Sequence, residues 1–125
     1  MQMSGKDNQI LTKIKSRLDR IMKYGHGCED YDDFVSDKMR VEACIFNLMQ
    51  IGELAKQGLS DEVKNNISNV KWKQVCSMKE HISMPHNEKD LDTDMDKIDS
   101  ELVWKTVSEE IPILREKIKK VLDEA

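Results

Sequence analysis

A chain of 125 residues is long enough for one domain with one modest core. Charged residues make up 35% and aromatics 5%, and only two prolines and five glycines interrupt the chain, a mix that favours helices over sheet. A net charge of -4 excludes a bulk polycation for duplex DNA but leaves room for a local basic face. Cys28, Cys44 and Cys76 are odd in number and far apart, so they form neither a disulfide framework nor a CxxC zinc pair and read as buried thiols. No stretch approaches the roughly 18 apolar residues of a membrane span. No basic-then-apolar signal segment opens the chain. The expectation is a cytoplasmic protein without membrane contact.

Residues 1–7 read as a flexible N-terminus. Ile10, Ile14, Leu18, Ile21 and Met22 then recur at helical spacing and predict an amphipathic helix over about residues 8–24. Lys13, Lys15, Arg17, Arg20 and Lys23 form its other face, either solvated or in contact with RNA. Gly25 and Gly27 flank His26 and end the helix, which makes His26 a loop residue. Residues 30–34 suit a short helical turn with Tyr31 and Phe34 pointing inward.

The longest helical pattern covers residues 37–57. Val41, Cys44, Ile45, Leu48, Met49, Ile51, Gly52 and Ala55 give it an apolar face wider than one neighbouring helix needs. Such a face could serve both the core and a partner subunit, which predicts a homodimer. Gly52 costs about 1 kcal/mol against alanine in mid-helix, and close helix approach is a reason to place it there. Gly58 stops this helix. Ser60, Asp61 and Glu62 start a short one that ends near Ile67, followed by a polar turn over residues 65–69. Trp72, Val75, Cys76, Lys79 and Ile82 predict a further helix, with Trp72 and Val75 toward the core and Lys79 at its end. Asp99 or Ser100 caps the last helical region, whose stripe is Trp104, Val107, Ile111, Leu114, Ile118 and Val121. Pro112 suits either a kink or the first turn of a second segment. The predicted fold is an all-α bundle of four main helices plus short ones.

Chemistry concentrates between the last two helical regions, where Lys79, His81 and His86 lie close together. A neutral imidazole can take the proton from a 2′-hydroxyl, a cation can offset charge on the phosphoryl oxygens, and a second histidine can protonate the leaving oxygen. That is a minimal kit for metal-free RNA cleavage, and the same residues also suit a solvent-facing loop. Farther on, Asp90, Asp92, Asp94, Asp96 and Glu101 fall at positions 1, 3, 5, 7 and 12 of a calcium loop. Met95 stands where such a loop needs glycine, Lys97 stands where an apolar residue is usual, and Pro85 breaks the incoming helix. A solvated acidic stretch, with no tight calcium site, is the expectation.

The chain resembles the HepT-like proteins, also called DUF86, of the HEPN superfamily. The residues that carry the resemblance are Ile51, Gly52 and Glu53 with Ala55 and Lys56, then Trp72, then Ile98, Asp99, Glu101, Val103, Trp104, Ile111 and Pro112. It covers residues 8–122 as a single HEPN/HepT-like domain. It implies a helical homodimer, a toxin ribonuclease acting on single-stranded RNA, and a small MNT-type nucleotidyltransferase antitoxin as partner. No cofactor and no metal ligand are implied. The family's motif is an arginine, usually followed by a polar residue, then about four to six intervening residues before a histidine, often with a tyrosine two residues beyond. Two copies meet across the dimer. Here Lys79 takes the arginine's place and Glu80 follows it, while the short-spaced histidine place falls on Met84. His86 sits at the long limit of the spacing, and Glu88 stands where the tyrosine would be. Counted back from Ile98 and Asp99, the histidine and tyrosine places fall on Thr93 and Met95, as an insertion would produce. Lysine lacks the planar fork with which arginine grips phosphate. The resemblance therefore implies a weak, metal-independent endoribonuclease with Lys79 and His86 as catalytic residues and His81 as the substitute for either proton transfer. The alternatives are a catalytically inactive helical dimer that binds a nucleotidyltransferase or another protein, and a cation-dependent binding module.

Overall fold

The computed structural model describes residues 3–83 and 98–124. Every element among them is helical. The first, α1, spans Gly5–Gly25 and buries Leu11, Ile14, Leu18 and Ile21. It starts earlier than the expected residue 8 because Ser4 caps it, accepting the Asp7 N–H at 3.1 Å. Asp7 is itself buried. Its carboxylate accepts the Ser60 N–H at 2.9 Å and the Ser60 hydroxyl at 2.8 Å, and takes the Ser4 hydroxyl at 3.1 Å. Burial pushes the Asp7 carboxyl up, but the hydrogen bonds from Ser60 and Ser4, with Lys6 nearby, outweigh it and hold the group below its ordinary value. Gly27 adopts the left-handed backbone that ends this region, with His26 exposed beside it, as a loop residue should be.

The short helix α2, Tyr31–Val35, buries Phe34 against Trp104, with ring centroids 5.1 Å apart. Tyr31 is half-buried and shares a 2.6 Å hydrogen bond with Ser100. The long α3, Lys38–Gly58, lies beside α1 and buries Cys44, Ile45, Leu48, Ile51 and Ala55, as its pattern predicts. Asn47 is buried too, and its amide is satisfied: it donates to the Ala43 carbonyl at 2.8 Å and accepts from Arg17 at 3.1 Å. Arg17 also stands over the Phe46 ring, 5.4 Å from its centroid. The expectation of buried thiols holds for Cys44, whose thiol burial pushes up to about 12, with Cys28 adding to the shift and Arg40 opposing it. Cys28 and Cys76 are only half-buried.

Ser60 caps α4, Asp61–Asn66, as expected. The single helix predicted around residues 72–82 is instead two short ones, α5 (Trp72–Cys76) and α6 (Met78–His81), broken at Ser77. The break lies against Gly52 of α3. A Cβ placed there would stand 2.9 Å from the Val75 carbonyl oxygen and 3.0 Å from the Met78 Cβ. The close approach that the glycine predicts is real, and its neighbour is this joint, which α3 presses into.

Asp99 caps α7, Ser100–Lys105, by accepting the N–H groups of Glu101 and Leu102. A π-helical turn, Thr106–Glu110, then leads into α8, Ile111–Glu124. Pro112 is the second residue of α8. It has no N–H to give and its ring crowds the carbonyl one turn back, and the widened turn meets both problems without ending the rod. Thr106 and Ser108 turn their hydroxyls onto the Leu102 and Trp104 carbonyls, the back-bonding that accompanies a bend in a helix. Val103, Val107 and Ile111, spaced four apart, all face inward across it. Arg115 on α8 bonds Asp19 on α1 at 2.5 Å, and that guanidinium together with Lys15 outweighs burial and holds the Asp19 carboxyl below its ordinary value. Among the described residues, no helix is long and apolar enough to cross a membrane.

Candidate active site

Two of the three expected catalytic residues, Lys79 and His81, sit on α6. His86 lies outside the described residues, as do Asp90, Asp92, Asp94 and Asp96. Glu101 is exposed in the first turn of α7. α6 is anchored on both sides. Met78 and Ile82 are buried beneath it. The Ser83 hydroxyl donates to the Lys79 carbonyl, Ser83 forms an isolated antiparallel bridge with Ile98, and the Asp99 N–H reaches the Ile82 carbonyl at 2.8 Å.

His81 points at the π turn. Its Nε2 lies 3.0 Å from Oε2 of Glu110, with the two side chains 23% and 42% exposed. With the Glu110 carboxylate as acceptor, the imidazole donates from Nε2, which leaves Nδ1 facing away from the pair. A histidine oriented in this way, wet on one side, is suited to moving a proton.

Beside the pair runs a cleft of about 240 Å³ between α5–α6 and the start of α8. Val70, Val75, Met78, Ile111 and Leu114 supply apolar walls, and Ile113 stands 60% exposed at the edge. Lys71, Gln74 and Lys117 supply the polar fringe. Lys117 donates to the carbonyls of Ser68, at 3.2 Å, and Asn69, at 2.8 Å, and so fixes the turn where Asn69 takes a left-handed backbone.

Lys79 is exposed and does not line this cleft. Residues two apart on a helix point to different sides, so Lys79 and His81 of one chain do not share a cradle. The structure thus brings His81 to Glu110 rather than to Lys79. Sequence reasoning missed Glu110, Lys71 and Lys117. The available signal for Glu110 was its place next to Ile111, at the edge of the apolar stripe. Among the described residues, no group of three or more histidine, cysteine, aspartate or glutamate side chains could hold a metal ion.

The chain is 28% identical over 92 residues to a protein named "Putative RNase TTE0752" from Caldanaerobacter subterraneus subsp. tengcongensis, an alignment that covers 74% of this chain and 73% of the relative. No family model matches the chain. No solved structure matches it. The all-helical fold and this distant RNase-named relative are in keeping with a member of the HEPN class.

Proposed function

We propose that this chain is a HepT-like toxin, a single HEPN domain over residues 8–122, that cuts single-stranded RNA weakly and without a metal. The observation that carries the reading is the His81–Glu110 pair at the edge of a cleft, in a chain with an RNase-named relative. His81 takes the proton from a 2′-hydroxyl as that oxygen attacks phosphorus, or gives one to the departing 5′-oxygen as the P–O bond breaks. His86 supplies the other transfer. Lys79 holds the phosphate as a point charge, and because it faces away from His81 the two act on one phosphate only if each comes from a different subunit. Products end in a 2′,3′-cyclic phosphate. Met39 and Phe46, 80% and 54% exposed on α3, support a homodimer formed through that helix. A nucleotidyltransferase antitoxin neutralises the toxin in the cytoplasm by binding, since no tyrosine stands at the family's acceptor place and Tyr31 is tied to Ser100.

The test is cleavage of single-stranded RNA in EDTA by the wild type and by Lys79→Ala, His81→Ala and His86→Ala, with the mass of the assembly measured for each. Loss of cutting in these variants, with the dimer intact, supports the assignment. Robust cutting that survives all three removes them as catalysts. A second reading, an inactive dimer that binds a protein partner, is favoured by the separation of Lys79 from the cleft. A well-folded wild type that cuts no RNA selects it.

A further inference from the structure

We propose that the cleft between α5–α6 and α8 is a nucleotide pocket that takes one unstacked base, with the attached phosphate at Lys71. The choice of ligand rests on the RNA-directed reading above. At about 240 Å³ the cleft is smaller than the roughly 300–1,000 Å³ of sites that take drug-sized molecules, which limits its occupant to a single ring system. Its walls are aliphatic on two sides, Val75 and Met78 from one and Ile111 and Leu114 from the other, as the faces of a planar ring require. Such a ring is polar only at its edge. The cleft meets that edge with an acceptor in Glu110 and with both a donor and an acceptor in the Gln74 amide. An aliphatic ligand would leave these groups unused. Lys71 is exposed at the rim, where the anion of a nucleotide would lie. Lys117 and Lys120 follow Ile113 on α8 at spacings of four and seven, so cationic groups continue along the same side of that helix. A strand bound there would place a base in the cleft and its next linkage at His81.

The experiment is titration of the full-length protein with 5′-AMP, 5′-GMP, 5′-CMP and 5′-UMP, followed by backbone amide shifts, with adenosine and ribose 5-phosphate as controls. At least one mononucleotide should bind with a dissociation constant of about 1 mM or tighter and shift the amides of α5, α6 and the π turn. Ribose 5-phosphate should bind roughly tenfold more weakly, because it lacks the base. Ile113→Asp, at an exposed position that leaves the melting temperature in place, should weaken the nucleotide roughly tenfold. Lys71→Ala should weaken 5′-AMP and leave adenosine unchanged. The inference is overturned if ribose 5-phosphate binds as well as 5′-AMP, if Ile113→Asp changes nothing, or if the shifts fall elsewhere. It is also overturned if no nucleotide binds, as when the cleft takes an apolar side chain of a partner protein. RNA cutting without nucleotide binding refutes the pocket alone. Nucleotide binding by a protein that cuts nothing refutes the ribonuclease reading alone.

Discussion

Two halves of this molecule are built on different terms. Along the α1–α3 seam, two long helices bring fully buried Leu11, Ile14, Leu18 and Ile21 against Cys44, Leu48, Ile51 and Ala55. Across the molecule, α5, α6 and the π turn are short pieces, and their outer edges carry His81, Glu110 and Lys71. Rigid, continuous packing supplies the frame. Polar side chains collect where the helices are interrupted, because an interrupted helix leaves a cleft that a continuous one would close.

The contrast can be broken first at the frame. Leu48→Ala, in the middle of α3 and fully buried, should cost about 2–5 kcal/mol in urea denaturation. An alanine at exposed Ile113 should stay within about 0.5 kcal/mol. Equal losses at the two positions would erase the distinction. Next in size is Asp7→Ala, which removes a charged acceptor shared by two helix starts and should cost about 1.5–3 kcal/mol near neutral pH. The folded Asp7 carboxyl lies below its ordinary value, so its contribution is complete above the unfolded group's pKa of about 3.9 and is lost as pH falls through the lower folded one. The stability difference between wild type and variant should therefore narrow as the solution is made acid, and a difference that does not change with acidification would contradict the assignment.

Gly52→Ala tests the boundary between the halves. Alanine favours the helix by about 1 kcal/mol, but the new methyl meets the Val75 carbonyl oxygen, which cannot swing aside. Overpacking of about 1–3 kcal/mol should win, for a net loss of roughly 1 kcal/mol, with amide exchange rising in α5 and α6. A gain in stability would show that the joint yields without strain. Least in stability, within about 0.5 kcal/mol, is Glu110→Gln on the half-exposed π turn. Its effect should appear in catalysis, where losing the carboxylate that orients His81 should slow RNA cutting roughly tenfold. Cutting at the wild-type rate would reduce the pair to a structural contact.

The frame was legible in the sequence because it obeys a local rule. Ile14, Leu18 and Ile21, like Leu48, Ile51 and Ala55, announce a buried face by spacing alone, and Ser60 and Asp99 announce helix starts by their chemistry. The break at Ser77 follows no local rule. It lies where the fold brings Gly52 against Val75, residues distant in the chain. The π turn is half legible, since Pro112 signals trouble in a helix without saying that the remedy is a wide turn. Lys79 and His81 were chosen by residue type, yet their two-residue spacing already set them on different sides. Glu110 offered only its place beside Ile111 at the edge of the apolar stripe, because the fold alone brings it across to His81.

The pairing of Ser83 with Ile98, backed by the Asp99 N–H on the Ile82 carbonyl, fixes both ends of the connection through residues 84–97 at one point. The entropy of closing a chain between fixed ends grows only with the logarithm of its length, about 0.6 kcal/mol for each doubling. A few glycine and serine residues added between these anchors should therefore cost only about a few tenths of a kcal/mol, because the joined ends at Ser83 and Ile98 stay in place whatever length of chain links them.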